Sequence, residues 1–116
     1  MPRKSIFEMS FAKVYQALIN KAERKGRTED EVNELSSWLL GYSPSQIQGL
    51  KESDLSYGDF FRQAPNPNPK AQLIDGSICG IKIQEIKDPL MRQVRVLDKL
   101  VDDLAKGKSI EKITLK

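Results

Sequence analysis

Apolar residues recur along this chain at spacings of three and four, a period that predicts helices over most of its length. In "MSFAKVYQALINKAERKG", Phe11, Val14, Tyr15, Leu18 and Ala22 share one helical face. Ser10 stands at the N-cap, Met9 and Val14 at the positions of a hydrophobic staple, and Gly26 at a left-handed stop. "RTEDEVNELSSWLLGY" predicts a second helix, with Thr28 and Glu31 at capping-box spacing and Val32, Leu35 and Leu39 on one stripe beside Trp38. Gly41 closes it. Ser43 and Pro44 then open a shorter helix through Ile47 and Leu50, weakened by Gly49.

The longest stripe lies near the C-terminus. In "KDPLMRQVRVLDKLVDDLAKGK", Asp88 is the N-cap and Pro89 the first helical residue; Leu90, Val94, Leu97, Val101 and Leu104 then alternate in steps of four and three until Gly107. Such a seam suits a central core helix or, alternatively, a contact with a second copy. The middle of the chain is less regular. Tyr57, Phe60 and Phe61 form an aromatic cluster, and Pro65, Pro67 and Pro69 follow as a stiff extended spacer, with a polyproline ligand as the less favoured reading. "AQLIDGSICGIKIQEI" fits two templates. Asp75 and Gly76 suit a hairpin turn, whereas Ala71, Ile74, Ile78 and Ile81 recur at helical spacing; of the two, the helix is favoured.

The expected fold is therefore mainly α, a compact multi-helix single domain over residues 1–116 with a long C-terminal helix. Residues 1–8 form a loosely ordered lead. The alternative is α+β with a short hairpin near residues 72–83. A chain of 116 residues can bury a real core without staples, and no apolar run approaches the length needed to span a bilayer, so no membrane is expected. One cysteine allows no internal disulfide and points to the cytoplasm.

Composition restricts the chemistry more sharply. The chain has no histidine, which removes imidazole ligands and bases, so no metal, no cofactor and no Ser-His or Cys-His pair is expected. Whether it is an enzyme stays open, with the reading leaning against. Cys79 is the weak catalytic candidate, for a thiol enzyme or redox sensor, but its apolar neighbours Ile78, Ile81 and Ile83 favour an inert packed thiol. "AKGKS" lacks the leading glycine of a phosphate loop, and the run Glu29, Asp30, Glu31 and Glu34 is what a helix start favours.

Charge is polarised. Residues 1–28 carry a net +5, residues 29–60 a net −6 and residues 61–116 a net +4. The basic first segment is expected to fold against the acidic one. A helix-turn-helix over residues 29–52 is the second functional reading, since Ser37, Gly41, Ile47 and Leu50 have its spacing. Its nucleic-acid contacts would be Lys21, Arg24, Lys25, Arg27, Gln46, Gln48 and Lys51, with Ser45 beside them, although the reader would lie in the acidic third. The first reading is a non-enzymatic binding or protein-interaction module, a homodimer through Leu90, Val94, Leu97, Val101 and Leu104 included.

Three stretches carry a family likeness: "WLLGYSPSQI", "SYGDFFRQAPNPNP" and "ICGIKIQEIKDPLMRQVRVLDKLVDDLAKGKSIEKI". They resemble the small bacterial proteins of domain of unknown function 2200, from Ile6 to Ile113. The resemblance implies a short, single-domain, cytoplasmic bacterial protein and carries across no activity, ligand or catalytic residue.

Overall fold

The helical stripes become α1 (Phe11–Glu23), α2 (Glu29–Leu40), α3 (Pro44–Lys51) and α5 (Pro89–Ala105). Two short helices that the spacing did not mark join them, α4 (Tyr57–Arg62) and α6 (Ile110–Ile113). The computed structural model describes residues 6–74, 76–78 and 80–114. Among these, the mainly helical reading holds, and no helix is long and apolar enough to cross a membrane.

Local chemistry explains where most helices begin. At α2, Glu31 N donates to Thr28 Oγ1 at 3.2 Å while Thr28 N donates to Glu31 Oε1 at 3.1 Å, a reciprocal capping box. Ser43 and Gln46 repeat it at α3, at 3.1 and 2.8 Å. At α5, Asp88 Oδ1 accepts from Leu90 N at 3.0 Å, and Pro89 occupies the first helical position. α1 departs from expectation. Ser10 makes no side-chain cap; instead Phe11 N donates to Leu55 O at 2.9 Å and Tyr57 N to Met9 O at 2.8 Å, so the starts of α1 and α4 lie side by side. That backbone pairing takes over the cap's role, and Met9 is left 41% exposed.

Helix α5 packs against α1, α2, α4 and α6. Val94, Leu97, Val101 and Leu104 are completely buried there, and Leu90 is partly buried against the same core. The apolar stripe is thereby covered by the chain's own helices, the central-core role that its spacing suits. Aromatic side chains fill the space between α1 and α4. Phe60 is the hub: its ring centroid lies 4.2 Å from that of Phe11, 4.8 Å from Tyr42 and 5.3 Å, edge-on, from Phe61. Tyr42, just after α2, also donates its hydroxyl to Phe60 O at 2.7 Å.

The segment of alternating prolines is a strap across the end of α2. Prolines have no N–H, so the intervening asparagines supply the donors: Asn66 N reaches Leu40 O at 3.0 Å and Asn68 N reaches Leu39 O at 2.9 Å. Two carbonyls that the helix end would leave orphaned are thereby satisfied. Gly41 makes the approach possible, since its φ is +86° and an added Cβ would lie 2.7 Å from Asn66 Cβ. After a 3-10 turn at Pro69–Leu73 the chain forms a two-stranded hairpin, β1 (Ser77–Ile78) with β2 (Ile81–Lys82), pairing Ser77 with Lys82 and Ile78 with Ile81. The favoured helix over residues 71–83 is therefore overturned locally. Gly76 at φ +112° and Gly80 at φ +79° lie outside helical backbone, and two glycines cost a helix about 1 kcal/mol each relative to alanine.

One polar group is built into the core. Tyr15 Oη donates to Asn33 Oδ1 at 2.7 Å and lies 3.0 Å from Ser36 Oγ, with all three residues buried. The hydroxyl of Tyr57 is equally buried and has no hydrogen-bond partner among the described residues.

Two contrasts test this packing. Gly58 faces Phe7, and a Cβ there would stand 2.8 Å from Phe7 Cβ and 3.0 Å from Phe7 O, whereas Gly49 in α3 faces open space. Gly58→Ala is expected to destabilise the fold by about 1–3 kcal/mol and Gly49→Ala to stabilise it by about 0.5–1 kcal/mol in urea unfolding; equal effects would refute the contact. Likewise Tyr15→Phe strands two buried partners and is expected to cost about 1–3 kcal/mol, while Tyr57→Phe removes an unpaired hydroxyl and is expected to be neutral or stabilising. A Tyr57→Phe loss as large as that of Tyr15→Phe would show that the Tyr57 hydroxyl has a partner after all.

Candidate functional site

Helix α5 has a second face. Pro89, Arg92, Gln93 and Val96 follow one another in steps of three, one and three, so they line one side of the helix, next to the buried stripe. This side looks onto the proline strap. Between them lies a cleft of about 490 Å³, with Pro67, Asn68, Pro69 and Ala71 on the strap wall and Ile86 and Lys87 at the entrance to α5. Its volume falls within the range of small-molecule sites, roughly 300–1,000 Å³.

Both walls are held from behind. The strap hangs on the α2 carbonyls through Asn66 and Asn68, and Asn68 Oδ1 also accepts from Lys70 N at 2.9 Å, fixing the turn that carries Ala71. The opposite wall is the start of α5, set by the Asp88 cap, with Val96 only 1% exposed at the floor. The lining is mostly apolar, with Lys87, Arg92, Gln93 and Asn68 as its polar members. Among the described residues, no carboxylate lines it or pairs with Lys87.

The residues singled out from the sequence do not converge on this cleft. Lys21 pairs with Asp102 at 3.1 Å, Arg27 pairs with Glu31, and Lys51 and Gln48 both hold Glu29 Oε2, at 3.0 and 2.6 Å. Gln46 is engaged in the α3 capping box. Arg24 and Lys25 stay exposed beyond α1. The turn glycine of the helix-turn-helix spacing is covered by the strap at Asn66. Cys79 lies outside the described residues.

Electrostatics gives little support to acid–base chemistry. Burial pushes all three tyrosines, Tyr15, Tyr42 and Tyr57, upward and away from ionisation, so none offers a phenolate near neutral pH. Asp98 is raised by burial, partly offset by Arg95, whose Nη1 donates to Asp98 Oδ2 at 3.3 Å. Asp102 is opposed by burial but hydrogen bonds from Lys106 and Lys21 outweigh it and lower the group. Glu29 is lowered by its bond to Lys51 and then by Gln48. Among the described residues no group of three or more carboxylates, cysteines or histidines is placed to hold a metal ion.

The cleft was missed in sequence because its two walls lie some twenty residues apart. The one signal was the run of α5 positions 89, 92, 93 and 96, a second helical face hidden beside a stronger apolar stripe.

Comparison with known proteins places the whole chain. The model of a family described as "uncharacterized protein conserved in bacteria" matches residues 5–115. A crystal structure of the uncharacterized protein SP1917 superposes with a TM-score of 0.91 at 49% identity, over 97% of this chain and 93% of that one. No curated protein matches.

The lowered carboxylates define a pH dependence. A carboxylate whose folded pKa is depressed contributes stability above the ordinary carboxylate range and loses it as pH falls through that range; Asp98, raised, acts in the opposite sense. Glu29→Gln is therefore expected to be less stable than the unmodified protein by under about 1 kcal/mol near pH 7, with the two converging as pH falls through the ordinary carboxylate range and on through the depressed Glu29 pKa below it. Urea titrations across that interval check it, and parallel curves would remove Glu29 as a source of acid sensitivity.

Proposed function

Since the chain belongs to the DUF2200 family of uncharacterised bacterial proteins, we propose a function from its own geometry: a non-enzymatic binding module whose ligand seat is the cleft between the proline strap and α5. The observation that carries this reading is the pairing of two walls, each held from behind, around a mostly apolar cleft whose polar members are Asn68, Lys87, Arg92 and Gln93. Proline backbones and a capped helix start lose little freedom when a ligand arrives, which keeps the entropic cost of binding low. The absence of histidine and the buried, un-ionised tyrosines support binding over catalysis. A cytoplasmic location fits a chain with one cysteine.

The nucleic-acid reading is weaker. Lys21, Arg27 and Lys51 are engaged with carboxylates of the same chain, which leaves Arg24 and Lys25 as an isolated exposed pair. Two phosphate contacts would give only a shallow salt dependence.

A fragment screen followed by amide chemical shifts tests the seat. Fragments that bind are expected to move the amides of Ala71, Gln93 and Val96, and Ala71→Trp is expected to abolish those shifts while the protein stays folded. Shifts that cluster elsewhere, or that survive the tryptophan, would sink the proposal.

A further inference from the structure

We draw no further inference here: the strongest candidate, the cleft between the proline strap and the start of α5, belongs to the site already described, and nothing in the structure shows what covers it.

Discussion

Burial of one face of α5 is the constraint from which the remaining structure follows. Val94, Leu97, Val101 and Leu104 must leave water, and α1, α2, α4 and α6 all pack onto this helix to cover them. Fully burying side chains of this kind contributes about 1.5–3 kcal/mol each, more than any surface ion pair in the chain can offer. Once that face is enclosed, the neighbouring side of the helix is left to look outward. There the strap closes over it incompletely, and the gap between them is the cleft.

The strap is tied to the same core through the end of α2. Its alternating prolines and asparagines divide two tasks: the prolines hold the chain extended, and the asparagines donate to Leu39 and Leu40 carbonyls. Gly41 is needed because the strap runs within van der Waals distance of its backbone. A spacer by composition thus becomes a helix cap and a cleft wall at once. Tyr42 and Phe60 continue the connection inward, linking this corner to the aromatic cluster of α1 and α4.

Charge is resolved differently from the simple expectation of a basic head folding onto an acidic middle. Arg27 does pair with Glu31 across that boundary, but Lys21 reaches Asp102 on α5, and Glu29 is claimed by Lys51 from its own acidic segment. The reason is helix adjacency: α1 lies against α5, and α3 lies against α2, so the nearest partner is set by packing and not by the sign of a segment. Asp102 joins Lys21 and Lys106 in a small network at 3.1 and 3.0 Å.

The chain by itself determined the elements whose signals are local. The capping box at Thr28, the Ser43–Pro44 start of α3, the Asp88–Pro89 start of α5 and the three-and-four spacing of its stripe depend on residues within one or two turns, and each is found where the pattern places it. Residues 71–83 were ambiguous because two glycines and a short apolar run satisfy both periods; positive φ at Gly76 and Gly80 came with the hairpin pairing. α4 and α6 are too short to establish a period, and their burial against α5 is what makes them helices. Tertiary structure alone decided that the α5 stripe is enclosed within its own chain, that Tyr15 meets Asn33 and Ser36, and that the strap stands opposite Gln93 and Val96. Those relations join residues far apart in sequence, and only packing brings such residues within reach of one another.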